Sequence, residues 1–408
     1  LAVSISLGTL FLWPATEQTN IKQSTLYMLL AGSGSGLALS GDLFNLYVFY
    51  ELVAVVSYGL IAARGSAASL AATMRYVIIS GVGAAMALAG IALVYQATDT
   101  LNLALIAQLA PEKLDNAQGL AAFALLLLGF GVKAELFPVN TWVPEVYATA
   151  SSRVSALLAG VVSKLALVLI VRLLVLIFNQ PEALQLMLVL GIMGAVSGEL
   201  AAWRAKDINR MFAYSSIGQL GVMFIAFSIP GPLGIYAGLA VALHHMVVKP
   251  AFFMLATNRG GRYLNLRGFA SVSPLWAALF VLLSLTLVGV PPLPGFWAKM
   301  LVVMSLFQQA GGMYWLGAGV ILAAAVLEVS YMFKIVTSLY QRPDEDDEVV
   351  AAMAAPAARD LGIATALGVL LLLAMVFIGP LSERLQIMAD QTADVSLYIK
   401  TVGSEVLR

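Results

Sequence analysis

Residues 121–150 read AAFALLLLGFGVKAELFPVNTWVPEVYATA, with Lys133 directly before the prolines Pro138 and Pro144. The apolar run around them, 118–149, is too long for one straight membrane helix, which needs about 20 residues to cross the hydrocarbon. Phe137-Pro138 and Val143-Pro144 are its break points, since proline removes a helix donor and clashes with the preceding turn. The reading that fits is a discontinuous membrane helix, because irregular backbone at bilayer depth is tolerated where it lines a polar cavity. A second run, 273–308, repeats the design. It breaks at VPPLPG (290–295), through Pro291, Pro292 and Pro294, and Lys299 directly follows.

The rest of the chain agrees with a membrane interior. Of 408 residues, 61% are hydrophobic and only 11% charged, and the mean hydropathy is +0.92. Soluble chains carry roughly a quarter of their residues as charges, so this one cannot cover a water-facing surface. The fold class expected is an all-α integral membrane protein. Net charge is zero, which removes any whole-chain argument for nucleic acid. Zero cysteines exclude disulfides, zinc–thiolate sites, iron–sulfur ligation and thiol nucleophiles. With His244 and His245 the only histidines, no metal site and no cofactor are expected.

Apolar runs of spanning length lie near 1–13, 24–40, 43–63, 75–95, 118–149, 153–178, 183–203, 209–229, 232–257, 273–308, 313–340 and 361–379. Positive charge tests this count of twelve. With alternating connections, one side receives Lys22, Arg64, Arg75, Arg153, Arg204, Lys206, Arg210, Arg259, Arg262, Arg267, Arg342 and Arg359. The other receives only Lys113, with Arg172 near a helix end. The positive-inside rule makes the first side cytoplasmic, with loops 14–23, 64–74, 204–208, 258–272 and 341–360, and puts the C-terminal tail outside. The acidic run at 344–348 reads as a solvated linker, and 381–408 as an amphipathic interfacial helix. The chain opens on Leu inside an apolar stretch, so a longer protein with a missing first part is expected.

Ionisable residues inside these runs carry the functional reading. A charge at bilayer depth costs at least about 2.5–3.5 kcal/mol, so each needs a partner, a water-filled cavity or a function. Lys334, Glu199 and Arg172 lie near helix ends, where snorkelling or neighbours such as Arg204 and Lys206 account for them. Glu51, Lys133, Lys164, Lys249 and Lys299 have no such outlet. A Lys/Glu chain at bilayer depth, joined by water, is what a proton path requires. The alternative is a set of buried salt bridges that only hold helices together. His245 stands four residues before Lys249, on one helix face, and is the preferred relay point, with His244 beside it. Glu328, mid-helix, is a terminal carrier or a counter-ion for Lys299.

The two broken lysine helices also imply two five-helix repeats of inverted topology, a transporter architecture. The expected organisation is 1–40 as remaining N-terminal helices running into the first repeat, 24–178 as the first half-channel and 183–340 as the second. Residues 341–360 form the acidic loop and 361–408 the last helix and tail.

Five segments, GDLFNLYVFYE (41–51), GVKAELFPVNTWVPEVY (131–147), SALLAGVVSK (155–164), HHMVVKPAFF (244–253) and GVPPLPGFWAKM (289–300), resemble the antiporter-like proton-translocating membrane subunits. That family includes large subunits of Mrp-type sodium/proton antiporters, of respiratory complex I and of membrane-bound hydrogenases. The motifs occur in family order over essentially the whole chain. The family has fourteen helices, so the resemblance implies that the first two are missing here. It also implies roles: Glu51 modulates its partner Lys133, Lys164 connects, His245 and Lys249 link, and Lys299 is the exit site of the second half-channel. Three departures stand out. Asn140 occupies a position often held by His, Glu145 replaces a common Asp, and Glu135 adds a carboxylate two residues after Lys133.

The implied function is proton translocation within a multisubunit Mrp-type Na+/H+ antiporter, with other membrane subunits as partners and protons and sodium as the ions. The same fold in a complex I-like oxidoreductase or a membrane-bound hydrogenase is the alternative, and a structural scaffold is the third. No redox catalysis is expected in the chain itself. The default location is a bacterial or archaeal plasma membrane.

Overall fold

The computed structural model of the chain describes residues 21–256, 266–342 and 358–406. The expected first span, 1–13, and the residues Arg259, Arg262 and 344–348 lie outside the described residues. Each later span has its helix. In chain order these are α1 Ile21–Leu39, α2 Leu43–Ala62, α3 Ala67–Thr98, α4 Leu103–Lys113, α5 Ala117–Gly131, α6 Val143–Thr149 and α7 Ser152–Leu176. They continue as α8 Pro181–Arg204, α9 Ile208–Phe227, α10 Pro232–Leu255, α11 Phe269–Val272, α12 Pro274–Val288, α13 Pro294–Phe307, α14 Gly312–Tyr340, α15 Ala358–Val376, α16 Ile378–Ala393 and α17 Val395–Val406. Seven of them, α2, α3, α7, α8, α10, α14 and α15, are long and apolar enough on their own to cross a bilayer.

Side chains that the sequence supplies at the ends define the helices. The first backbone N–H groups of a helix lack internal acceptors, and a short polar side chain at the N-cap satisfies them. Asp42 accepts from Phe44 N and Asn45 N at 3.0 and 2.9 Å to start α2. Ser66 starts α3, Asn102 starts α4, and Asp207 starts α9 in the same way. The helix α3 begins eight residues before the expected span, so the connection expected at 64–74 is shorter and Arg75 lies inside the helix. There Arg75 pairs with Glu145 of α6.

Glycine and alanine bring the helices together. In lipid, association rests on close backbone packing, which small residues permit. A Cβ added to Gly221 of α9 would lie 2.3 Å from Ala195 N of α8, and one on Gly129 of α5 would lie 2.6 Å from Gly83 O of α3. These two helix pairs form the tight seams beside the buried charges.

Both expected breaks are present, after α5 and after α12. At the first, side chains donate to carbonyls around the interruption. Tyr50 OH donates to Gly129 O and Phe130 O at 3.0 and 3.1 Å, and Trp142 Nε1 donates to Val132 O at 3.0 Å. At the second, Gly289 ends α12 at φ +93°, a left-handed conformation that glycine adopts without a Cβ clash.

The C-terminal region folds as two helices, α16 and α17, in place of the single one expected over 381–408. It crosses from the second half to the first. Tyr236 of α10 hydrogen-bonds Ser382 of α16, while α17 packs on α4. Arg172 pins α17 by donating to Ser40 O at 2.6 Å and to Tyr398 OH at 2.8 Å. On the opposite face, Arg153 of α7 forms an ion pair with Asp360 of α15 at 2.7 Å.

Candidate functional site

The first cluster is built on α2, α3 and the first break. Glu51 and Lys133 form an ion pair at 3.5 Å. The lysine side chain is 1% exposed and the glutamate 29%, so the pair opens outward through its carboxylate. The Lys133 ammonium also donates to Ser80 Oγ at 3.4 Å and lies 3.2 Å from the centre of the Tyr50 ring. A buried ammonium is retained only with such partners, since a bare charge at this depth is prohibitively costly.

The break itself carries Glu135, at φ +56°. Tyr147 OH donates to Glu135 Oε1 at 2.5 Å, and Asn140 Nδ2 donates to the Glu135 carbonyl at 3.1 Å. Asn140 thus holds backbone.

The second cluster lies on α7, α9 and α10. A π-helical turn, Leu158–Val162, precedes Lys164. Such insertions open the helix ladder and are frequent at functional sites. Here the opened Ala159 carbonyl accepts from Lys164 Nζ at 2.6 Å and from Ser163 Oγ at 2.8 Å. Gly160, in the same turn, leaves room for the Pro250 ring of α10, which a Cβ would meet at 2.4 Å. Lys164 also reaches Nδ1 of His245 across the helix interface. With the ammonium donating there, the imidazole proton sits on Nε2, 3.3 Å from Ser216 Oγ of α9. Lys249 is fully buried and donates to Ser215 Oγ at 2.7 Å.

The third cluster joins α8, α9, α13 and α14. Lys299 pairs with Glu328, whose other oxygen accepts from Gln219 of α9. Tyr331 OH, one turn on, lies 3.0 Å from both Ser215 Oγ and Glu199 Oε2. His244 turns the other way from His245 and lies 3.1 Å from Thr286 Oγ1 of α12.

Of the sequence-predicted residues, Glu51 and Lys133 meet directly, as do Lys164 and His245, and Lys299 and Glu328. Lys249 is linked instead through Ser215 and Tyr331 to Glu199, and His244 stands aside beside the second break. Glu199 corrects an expectation. Its side chain does not rest on Arg204 or Lys206 near the helix end; it is 1% exposed and bonded to Tyr331. Arg204 follows by five residues, about 140° around the helix, so it projects from another face. Gly218 of α9 makes the room, since a Cβ there would lie 2.3 Å from Glu199 Oε1. Lys334 is exposed, consistent with its reading as a peripheral charge.

Ser80, Tyr147, Ser215, Ser216, Gln219 and Tyr331 were not singled out in the sequence, yet each bonds a buried ionisable residue. The signal for three of them was present in SSIGQ (215–219), a polar patch inside an apolar helix. Among the described residues no group of three or more His, Asp or Glu converges on a metal site.

These features define a class, a multi-pass helical membrane protein with three clusters of buried ionisable and hydroxyl groups and two interrupted helices. The chain belongs to the family described as NADH:quinone oxidoreductase/Mrp antiporter, TM, which it matches over residues 40–327. It is 30% identical over 387 residues to a Na(+)/H(+) antiporter subunit of Alkalihalophilus pseudofirmus, covering 93% of this chain and 77% of that protein. It is 31% identical over 338 residues to an NADH-quinone oxidoreductase subunit of Desulforudis audaxviator, covering 79% of this chain and 66% of that one. Among solved structures it resembles a chain of the membrane-bound sulfane sulfur reductase, an archaeal respiratory membrane complex. The TM-score is 0.86 at 27% identity, over 98% of this chain and 82% of that one. It also resembles a chain of the Mrp complex from Dietzia sp. DQ12-45-1b, with a TM-score of 0.85 at 25% identity, over 98% and 84%.

Proposed function

We propose that this chain is a proton-translocating membrane subunit of a multisubunit complex, with a Mrp-type Na+/H+ antiporter as the favoured complex. The observation that carries the reading is the line of polar groups from Glu51–Lys133 through Lys164–His245 and Lys249–Ser215 to Lys299–Glu328. Each ammonium has a carboxylate, imidazole or hydroxyl within hydrogen-bonding or ion-pairing reach, so a proton is exchanged without a bare charge forming in a dry interior. Protonation of Glu51 removes the charge on which Lys133 rests. The ammonium then gives its proton to the next base, and the order repeats toward Lys299.

The residue roles divide accordingly. Glu51 and Lys133 gate entry, Lys164, His245 and Lys249 carry protons through the middle, and Lys299 with Glu328 forms the far site. His244 has a secondary part at the second break. The element order supports two halves, 24–178 and 183–340, arranged as inverted repeats. In each, three spans precede a proline-broken lysine helix and a fifth span closes the half.

Partner subunits are supported by the outer face of α2. Glu51 reaches it partly exposed, and exposed Leu52 and Val55 flank it. A carboxylate partly open to lipid is costly, whereas a neighbouring membrane subunit with a polar group would cover it. The arginine-bearing connections favour the cytoplasmic side for the short turn at 63–66 and for 204–208 and 341–360, with α16 and α17 outside, in a plasma membrane.

The antiporter reading rests on the broad coverage of both chains in the comparison with the Alkalihalophilus protein. A second reading, a proton-pumping arm of a respiratory oxidoreductase, is favoured by the likeness to the sulfane sulfur reductase chain. Gentle purification with partner identification and iron analysis separates them. Small hydrophobic partners without iron support the antiporter, and iron–sulfur, nickel or flavin partners support the respiratory complex. In either complex, Lys133→Ala and Glu51→Ala are expected to abolish most proton flux with assembly intact; wild-type flux in assembled Lys133→Ala would overturn the proposal.

A further inference from the structure

Resting on the proton-translocating reading, we propose that Glu135 is an additional proton-carrying station, which bridges the Glu51–Lys133 site to the Lys164–His245 site across the first helix break. Without it the two sites have no ionisable group between them along the break. Lys133 is tied to Ser80, Tyr50 and Glu51, and none of these reaches toward His245.

Three observations place Glu135 in that gap. It is 1% exposed, two residues beyond Lys133 on the irregular segment. It is also one of two described non-glycine residues with positive φ, at +56°. An L side chain rarely adopts this conformation, and surrounding structure must hold it there. The Asn140 amide on its carbonyl and the Tyr147 hydroxyl on Oε1 do so.

The second observation is the other carboxylate oxygen. Oε2 is buried and has no hydrogen-bond partner among the described residues. A buried polar atom left unpaired is costly, so natural structures retain one mainly where it does something. The third is Ser216 of α9, which lies near this carboxyl without hydrogen-bonding to its Oε2. Its hydroxyl is 3.3 Å from His245 Nε2, and His245 Nδ1 meets Lys164.

The proposed route has two transfers. The Lys133 ammonium, which makes no direct contact with Glu135, passes a proton through intervening water to the Glu135 carboxylate, leaving a neutral amine and a carboxylic acid. The acid passes its proton to the Ser216 hydroxyl oxygen as that hydroxyl gives its own proton to the imidazole, so the serine is unchanged. This last step requires Lys164 to be neutral and Nε2 of His245 to be free of its proton. No co-reactant is needed. Tyr147, bonded to the other oxygen, orients the carboxyl and carries no proton across.

The test uses the assembled complex in sealed vesicles, with proton flux followed by a pH-sensitive dye. Glu135→Gln keeps the shape and an acceptor for Tyr147 but cannot titrate. It is expected to cut flux by roughly 10²-fold with normal assembly, the scale of removing a positioned proton carrier, while Glu135→Asp restores part of it. Wild-type flux in Glu135→Gln overturns the station. An infrared measurement adds a readout that packing alone would not move. In wild type, a protonated-carboxyl band should appear and vanish with pH, shift in Tyr147→Phe, and be missing in Glu135→Gln. A pH-dependent band set unchanged in both variants overturns the proposal even where a variant assembles poorly. Lys133→Ala, run alongside, keeps the two claims apart. Flux lost in Lys133→Ala but retained in Glu135→Gln removes only the station, whereas flux retained in both removes the proton-translocating reading as well.

Discussion

Replacing Glu51 and Lys133 together separates a relay from a structural ion pair. In Glu51→Leu, the Lys133 ammonium loses its carboxylate and keeps only the Ser80 hydroxyl at 3.4 Å and the Tyr50 ring at 3.2 Å. Breaking a fully buried pair costs roughly 3–5 kcal/mol. The Glu51 side chain is 29% exposed and the aromatic contact survives, so the expected loss is smaller, about 2 kcal/mol. In Lys133→Met the carboxylate turns toward its open side, and the loss falls to about 1 kcal/mol. The double variant Glu51→Leu/Lys133→Met buries no charge at this place and should return to within about 1 kcal/mol of wild type. The cycle therefore gives a coupling energy of about 2–3 kcal/mol, in the range of directly contacting residues. Thermal unfolding of the purified complex ranks the four proteins, and dye-reported proton flux in vesicles is measured on the same preparations. The relay account expects the double variant to be nearly as stable as wild type yet to carry less than about a hundredth of its flux. A stable double variant with wild-type flux would refute the reasoning, because the pair would then serve packing alone.

Three further outcomes follow from the geometry. Ser216→Ala removes the hydroxyl that lies 3.3 Å from His245 Nε2, and flux should fall roughly tenfold with unchanged assembly, as read in the same vesicle assay. Gly221→Val forces a Cβ to 2.3 Å from the Ala195 backbone nitrogen; the α8–α9 seam must part, at about 1–3 kcal/mol, which a thermal shift of the complex would register. Arg172→Ala frees α17 from Ser40 and Tyr398, so limited proteolysis should clip the C-terminal region faster while proton flux stays near wild type.

How much of this was legible in the sequence depended on what the bilayer makes expensive. Lys133, Lys164, Lys249 and Lys299 stood out because an ammonium in an apolar run is rare and costly. The breaks stood out because proline cannot continue a helix. Ser215, Ser216 and Gln219 passed unnoticed, since a neutral hydroxyl or amide lowers the apolar character of a helix only slightly and can bond its own backbone. In the structure they hold Lys249, His245 and Glu328 within the second half, while Lys164–His245 makes the contact between the halves. Glu199 was misjudged for another reason: distance along the chain to Arg204 said nothing of the face from which each projects. The helix α4 and the α16–α17 region lack a long apolar run. Their placement depends on tertiary partners such as Arg172–Tyr398, which no local pattern encodes.

The central claim is a single continuous path, so its far end should matter as much as its entrance. Lys299→Met removes the ammonium paired with Glu328, in the half of the molecule that does not contain Glu51. Proton flux of the assembled Lys299→Met complex in vesicles, measured beside Lys133→Met, tests this most directly. The account predicts that both variants lose flux to the same low level. Wild-type flux in assembled Lys299→Met, with flux lost in Lys133→Met, would contradict it and confine transport to the first half.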